Sequence, residues 1–362
     1  VYERSDASPE AHARGIGGSA GFQLVSAARG KATLKETAMV KAMRMHKVGG
    51  PDVLSWEDVD VAAPKPGEAL VRHTAVGLNY IDTYHRSGLY PVPMPAIIGS
   101  EGAGVVEAVG EGVSEVAVGD RVAYGNAPIG AYAQKRTLPA HRLLKLPAGI
   151  SDQQAASMML KGMTAQYLIR RTYRVKAGET VLVHAAAGGV GLIMCQWLKH
   201  LGATVIGTVG DGAKAELARA HGADHTILYR EEDFAARVKE ITGGRMVPVV
   251  YDGVGKDTWD KSLDCLQVRG LMVSYGNASG AVPPINIGIL NTKGSLFVTR
   301  PSLNGYVAKR DELVETANDL FDVVLKGAVK IGINQTYALQ DAAQAHRDLE
   351  QRKTTGSTVL TV

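Results

Sequence analysis

The run Val181-Leu182-Val183-His184-Ala185-Ala186-Ala187-Gly188-Gly189-Val190-Gly191 constrains this chain more than any other stretch. Residues 180–183 read as a short buried strand, the small residues after them as a tight turn, and 192–201 as a helix. A strand, a glycine turn and a helix in that order form the first half of a dinucleotide site. The turn lets the backbone approach a pyrophosphate, which then sits on the helix N-terminus where free N–H groups and the dipole favour anions. The spacing is Ala186-x-Gly188-x-x-Gly191, with alanine where the first glycine would stand. An ordinary strand–turn–helix whose glycines serve only packing is the plain alternative, and the placement between strand and helix favours the nucleotide reading.

The chain beyond the turn repeats the alternation. With 180–183 as the first of six, strands are expected at 203–208, 225–228, 246–251, 271–275 and 296–299, with helices at 192–200, 214–220, 232–241 and 256–266 between the first five. This predicts a Rossmann-type, doubly wound parallel sheet covered by helices on both faces. Ser151 is the expected N-cap of a helix over 152–169 that leads into it. Upstream, 69–76, 102–110 and 120–124 alternate or carry glycine turns in the manner of a β-rich body. Helices at 311–326 and 339–350 and a strand at 358–362 leave the α/β pattern and are expected to return to that first body. Residues 1–38 are rich in Ala, Gly, Ser and Arg and show no sustained period. They also carry Glu3, Asp6 and Glu10, unlike an acid-poor transit peptide. They read as a flexible extension without function, and 39–43 as a natural start of the folded part.

The 362 residues suit about two domains. A net charge of +4 is too mild to argue for nucleic acid without a clustered basic face. No run of about 18 apolar residues is present to span a membrane. Two cysteines, Cys195 and Cys265, both in expected helices, make no disulfide framework; they read as buried core residues in a chain from a reducing, cytoplasmic compartment.

Several motifs occur in order. They are Gly77-Leu78-Asn79-Tyr80-Ile81-Asp82-Thr83-Tyr84 with Arg86-Ser87-Gly88-Leu89-Tyr90, then Leu160-Lys161-Gly162-Met163-Thr164, the glycine turn, Arg269-Gly270-Leu271-Met272-Val273-Ser274-Tyr275-Gly276-Asn277 and Gly294-Ser295-Leu296-Phe297-Val298-Thr299-Arg300-Pro301-Ser302-Leu303. In these the chain resembles the medium-chain dehydrogenase/reductases of the quinone oxidoreductase (zeta-crystallin-like) branch, most closely its bacterial members, from about residue 42 to the end. The resemblance implies a GroES-like barrel domain, 39–164 with 302–362, and a Rossmann cofactor domain, 165–301. Zinc-dependent members of the superfamily carry a Gly-His-Glu triplet where this chain has Gly99-Ser100-Glu101, and their first cysteine falls in the run 77–80. A structural four-cysteine lobe cannot be built from two cysteines, and a catalytic zinc needs three protein ligands. No metal is therefore expected, and hydrogen-bond donors must polarise the substrate carbonyl.

The expected cofactor is NADPH. The acid that binds a ribose 2′-hydroxyl in NAD sites is replaced by Val209 after Thr208, and Lys214 matches a family lysine for the 2′-phosphate. Tyr229 and Arg352 match further family positions around the adenosine phosphate and the cofactor cleft. Asp211 is the departure: as an N-cap it is structural, and aimed at the phosphate it would weaken NADPH binding. The turn contributes Ala187, Gly188, Gly189 and Val190, and Gly210 follows the second strand. Thr164 and Tyr167 are expected near the nicotinamide, Gly253 stands where the family has serine, and Tyr275, Asn277 and Leu303 border the cleft. Asn79, Tyr84 and Tyr90 are the expected catalytic residues: Asn79 could donate to the acceptor or a cofactor hydroxyl, and Tyr84 to a quinone oxygen. Half-buried aromatics with their hydroxyls in water are the plain alternative for the two tyrosines. His85 reads as solvent-facing, Asp82 as a local hydrogen-bond organiser, and Lys161 as a solvated helix residue rather than a functional cation. The implied activity is NADPH-dependent reduction of quinones. Reduction of α,β-unsaturated aldehydes or ketones is the second reading, and an NADPH-binding protein with an RNA-binding or structural role the third. A homodimer through the edge strand 296–299 is expected, which would also cover an exposed edge.

Overall fold

In the chain's computed structural model the described residues are 37–126 and 128–362. The extension expected at 1–38 lies outside them, apart from residues 37 and 38, which belong to the first strand, Thr37–Met45.

The α/β half matches expectation closely. Strands Thr180–Val183, Thr204–Val209, His225–Leu228, Val247–Asp252, Leu266–Ser274 and Phe297–Thr299 form one all-parallel sheet. Counted by their order in the chain, they lie side by side as 3-2-1-4-5-6. Alternate side chains feed two cores. Val181, Val183, Val205, Tyr251 and Val273 pack on one face with the helices Gly189–His200 and Gly212–Ala220. Leu182, Ile206, Val250 and Met272 pack on the other with Phe234–Ile241 and Trp259–Asp264. A sheet buried on both faces explains why its strands read as near-continuous apolar runs. Cys195 and Cys265 are both fully buried, and Cys265 caps the Trp259–Asp264 helix rather than lying inside it.

A second sheet carries Ile333–Ala338, Ser357–Thr361, Glu68–Leu78, Glu101–Val109, Arg121–Gly125 and Leu144–Lys145 in that order, with Lys135–Pro139 also paired to Glu68–Leu78. The C-terminal strand does return: Val359 pairs with Gly77 and Leu360 with Val76. A smaller sheet joins Ser55–Ala62, Thr37–Met45 and Ala96–Ile97.

The helix Asp152–Tyr167 links the two halves. Ser151 caps it as expected: its hydroxyl accepts from the Gln154 N–H at 3.2 Å, and the Gln154 side chain accepts the Ser151 N–H at 3.1 Å. Its end widens into one π-helical stretch, Leu168–Thr172. Gly162 lets the helix Arg310–Leu325 close onto it, since a Cβ there would lie 2.5 Å from Leu320 Cδ1.

Candidate active site

Between the sheets runs a cleft of about 270 Å³. Its floor is the glycine turn. Ala185 adopts φ +52°, the Gly188 N–H closes the turn on the Ala185 carbonyl at 2.9 Å, and the helix starts at Gly189, three residues before the expected 192. Gly191 is required, because a Cβ there would lie 2.4 Å from the Ala185 oxygen. The N–H groups of the first helical turn have no carbonyl behind them and face an anion-binding position. The Gly356 N–H donates to the Ala187 carbonyl at 3.0 Å and pins the C-terminal segment to the turn. His184 takes no part: its buried ring bonds Thr208 and Ser262, and burial lowers its pKa.

At one end of the cleft are Gly210, Lys214, Tyr229, Arg230 and Arg352. Lys214 Nζ donates to the Arg352 carbonyl at 2.8 Å, and Arg352 Nη1 to the Tyr229 hydroxyl at 3.3 Å. Asp211 caps the helix Gly212–Ala220 through its Oδ1, which accepts the Lys214 N–H at 2.9 Å. Arg230 was not anticipated; its signal is its place directly after Tyr229 at the end of the strand His225–Leu228.

At the other end lie Leu78, Asn79, Tyr80 and Lys161. The Asn79 amide donates to Glu101 Oε2 at 2.8 Å and to the Gly77 carbonyl at 3.4 Å, so the donor capacity expected of it is already used. Asp82 is the organiser expected: fully buried, it accepts from the Asn79 N–H at 2.9 Å, the Tyr132 hydroxyl at 3.1 Å and the Ser100 hydroxyl at 3.2 Å. Burial pushes its carboxyl up to about 7. Lys161 is not solvated. It is 6% exposed and ion-paired at 3.1 Å with Glu101, whose Oε1 also takes the Leu160 N–H at 2.8 Å. The sequence contains no local sign of that partner.

The tyrosines also tie two segments of the chain together. The Tyr84 hydroxyl, on a residue 8% exposed, accepts the Asn277 N–H at 2.9 Å, and Tyr80 donates to the Ala278 carbonyl at 3.0 Å. Tyr90 meets Arg300 at 3.3 Å, and the Asn277 carboxamide spans from Arg300 at 3.2 Å to the Gly276 carbonyl at 2.9 Å. These contacts join the helix Tyr80–Ser87 to the loop 275–280. His85 is half-buried against Tyr90, not solvent-facing, and burial lowers its pKa.

Thr164, half-buried, and Tyr167, stacked on Tyr306 with centroids 4.5 Å apart, lie outside the cleft lining, and Leu303 sits in the core. Gly253 leaves room for Tyr275, whose ring would lie 3.0 Å from a Cβ there. The cleft thus gathers Asn79, Ala187, Gly188, Gly189, Val190, Gly210, Lys214, Tyr229 and Arg352 of the expected residues. Tyr84, Tyr90, Asn277, Thr164, Tyr167, Gly253, Tyr275 and Leu303 stand behind or beside it.

The donor set does not suit zinc. Ser100 spends its hydroxyl on Asp82, and Glu101 is committed to a lysine. Among the described residues no three His, Cys, Asp or Glu side chains cluster as metal ligands.

Two family models match: the zinc-binding dehydrogenase model over residues 189–322 and the alcohol dehydrogenase GroES-like domain model over 65–148. The quinone oxidoreductase of Pseudomonas aeruginosa is 55% identical over 323 residues, 89% of this chain and 99% of its own length. A Burkholderia 2-haloacrylate reductase is 50% identical over 330 residues, with 89% and 99% covered. The crystal structure of Escherichia coli quinone oxidoreductase complexed with NADPH matches with a TM-score of 0.88 at 53% identity, covering 89% of this chain and 100% of that one. With its relatives matched almost end to end and the zinc positions turned to hydrogen bonding, the chain belongs to the zinc-free quinone oxidoreductase branch of the medium-chain dehydrogenase/reductases.

Proposed function

We propose that this protein reduces quinones with NADPH. The observation that carries the reading is the layout of one continuous cleft. A cationic end of Lys214, Arg230 and Arg352 lies beyond a glycine turn, and the far end holds Asn79 and Lys161. Val209, not an acid, ends the strand that precedes the cationic end, so a 2′-phosphate meets positive charge there rather than repulsion. Lys214, Tyr229, Arg230 and Arg352 hold that phosphate, and the turn from Ala187 to Val190 takes the pyrophosphate. Asn79 accepts a ribose hydroxyl through its amide oxygen. Bound NADPH supplies the hydride. Tyr84, Tyr90 and Asn277 shape the acceptor side, and Thr164, Tyr167, Gly253, Tyr275 and Leu303 back the cofactor from a second layer. The division into a barrel domain, 39–164 with 302–362, and a cofactor domain, 165–301, belongs to the same reading.

The test is a panel of quinones and activated enones assayed with NADPH and NADH. Faster NADPH loss with quinones supports the proposal; turnover with NADH alone, or with none of the acceptors, sinks it. The 2-haloacrylate reductase relative favours one alternative, reduction of an activated carbon–carbon double bond in the same cleft, and the enone arm of the panel reads it.

The edge strand Phe297–Thr299 is the dimer contact we propose. Phe297 is 60% exposed, and Val268 and Ile287 are exposed too, so a second copy would cover both the strand edge and apolar surface. Sedimentation velocity should show two copies, and a monomer at working concentration overturns this point. The two buried, free cysteines suit a reducing cytoplasm. Among the described residues no helix is long and apolar enough to cross a membrane.

A further inference from the structure

Nearly the whole helix Asp152–Tyr167 is buried, including Met158, Met159, Leu160 and Met163 around position 161 in sequence. A lysine stands at that position, its ammonium 3.1 Å from a carboxylate that is fully buried. Replacing such a pair by apolar residues is commonly neutral or stabilising, so the fold alone does not account for it.

The pair is held from several sides. Glu101 takes the Leu160 N–H and the Asn79 amide, both at 2.8 Å, in addition to Lys161. Gly77 makes room for the carboxylate, since a Cβ there would lie 2.3 Å from Glu101 Oε2. The lysine stem crosses Gly189, where a Cβ would lie 2.6 Å from Lys161 Cδ. A cation is thereby fixed beside Asn79, at the end of the cleft opposite Lys214 and Arg352. With the dinucleotide's phosphates on the turn and on the cationic end, its reactive ring comes to this end.

The side chains here leave few donors to spare. Asn79 spends its amide hydrogens on Glu101 and Gly77, and Tyr80 spends its hydroxyl on Ala278. The Tyr84 hydroxyl accepts the Asn277 N–H and lies outside the cleft lining, so its remaining O–H is not at this end of the cleft. Lys161 carries three N–H donors and meets one acceptor, Glu101, among the described residues.

We propose that Lys161 is a catalytic residue, the fixed cation that stabilises negative charge on the quinone oxygen during reduction; the proposal rests on the quinone-reductase reading above. Lys161 donates a hydrogen bond to the oxygen that becomes phenolate as the hydride bonds to the quinone. It then passes that oxygen one proton and takes another from water. Each cycle converts one NADPH, one quinone and one proton into NADP+ and one hydroquinone. In a dry cleft wall such a preorganised charge acts far more strongly than in water. Glu101 is a positioning residue that acts through Lys161.

The experiment uses the full chain saturated with NADP+ and titrated with 4-nitrophenol, whose phenolate is read by its absorbance across pH. Bound 4-nitrophenol should ionise at least about one pH unit below the free compound. That part of the shift should vanish in Lys161→Met and return in part in Lys161→Arg. In turnover, Lys161→Met should lower kcat with quinone about 100-fold or more. Its NADPH dissociation constant, read by cofactor fluorescence, should move less than about threefold, roughly half of a tenfold step in free energy.

An unchanged shift and kcat in Lys161→Met overturns the proposal. So does a loss confined to NADPH affinity, which would make Lys161 a cofactor contact only, and so does the absence of any shift in the unsubstituted protein. Should Lys161→Met not fold, Lys161→Gln reads the same two quantities. If the unsubstituted enzyme fails to reduce quinones, the proposed function falls, while the phenolate shift still decides the role of Lys161.

Discussion

The two ends of the cleft are built on different physics. At the cationic end Arg230 and Arg352 are exposed, and the Lys214 side chain is 22% exposed. Lys214 stands in the first turn of the helix Gly212–Ala220, and Arg230 and Arg352 stand on turns after a strand and a helix. Their links, to the Arg352 carbonyl, the Tyr229 hydroxyl and Asp211, lie near the surface. At the other end Glu101 and Asp82 are fully buried, Asn79 is 5% exposed and Lys161 is 6% exposed. Every one of these side chains is tied to another. On the proposed function, grip on the cofactor falls to the more exposed charges, while the proposed reacting end is dry and preorganised, where one displaced group disturbs its partners.

The largest effect should come from breaking the dry end. Glu101→Ala strands a buried ammonium and removes the acceptor of the Leu160 N–H and of the Asn79 amide. A loss of about 3–5 kcal/mol in urea unfolding is expected. A loss under about 1 kcal/mol would mean the pair is solvated and the contrast between the ends is false.

Asp82 gives the next effect, and it depends on pH. Its carboxyl is raised from 3.8 to about 7 by burial, which outweighs the bonds from Asn79, Tyr132 and Ser100 and the nearby charge of Lys161. The fold therefore favours the protonated form. The stability Asp82 contributes is full below about pH 3.8 and is lost as pH rises through about 7. At about 1.4 kcal/mol per pKa unit the span amounts to at most ~4 kcal/mol. His346, bonded to Tyr132 at 3.0 Å and beside Arg86, has the opposite sign: burial lowers it to about 3, so its contribution is lost as pH falls below 6.5 toward 3. Because the two groups oppose each other, the sign is read in the difference: between pH 4 and 7 the unfolding stability of Asp82→Asn relative to the unsubstituted protein should rise with pH, and parallel curves would break this assignment.

At the wet end, Lys214→Ala should weaken NADPH by about 10- to 100-fold, the worth of one hydrogen bond to a charged group, and leave NADH within about threefold. Fluorescence titration with each cofactor measures it. Equal losses for both would remove Lys214 from the phosphate site.

The wet end was also the legible one, for the same reason. Strand, turn and helix are local patterns, and Thr180–Val183 and His225–Leu228 fall where periodicity places them. Lys214 and Tyr229 lie within a few residues of strand ends. The dry end is assembled by contacts with no sequence signature. Glu101 and Lys161 are 60 residues apart, so the lysine reads as one more helix surface cation. Tyr84 and the Asn277 N–H that its oxygen accepts are 193 residues apart, so its tie to that loop leaves no local sign. The strand Ile333–Ala338 was missed because Asn334, Gln335 and Thr336 hide its alternation, and only pairing with Ser357–Thr361 makes it a strand.

Asp211 should give the smallest effect, and it decides whether the wet end tolerates a negative charge. Its Oδ1 accepts the Lys214 N–H at 2.9 Å as an N-cap, and its other oxygen stands 3.7 Å from Lys214 Nζ. Threonine can keep the cap, so Asp211→Thr should change unfolding stability by less than about 0.5 kcal/mol, whereas Asp211→Ala should lose about 1 kcal/mol. Removing the carboxylate also frees the Lys214 ammonium for a phosphate. NADPH affinity in Asp211→Thr should then hold or rise by up to about threefold, as expected for one screened surface charge. NADH affinity should not follow, because it brings no 2′-phosphate to the site. A fall in NADPH affinity with the cap intact would show that Asp211 helps to hold the cofactor, and that the wet end is built from paired charges as the dry end is.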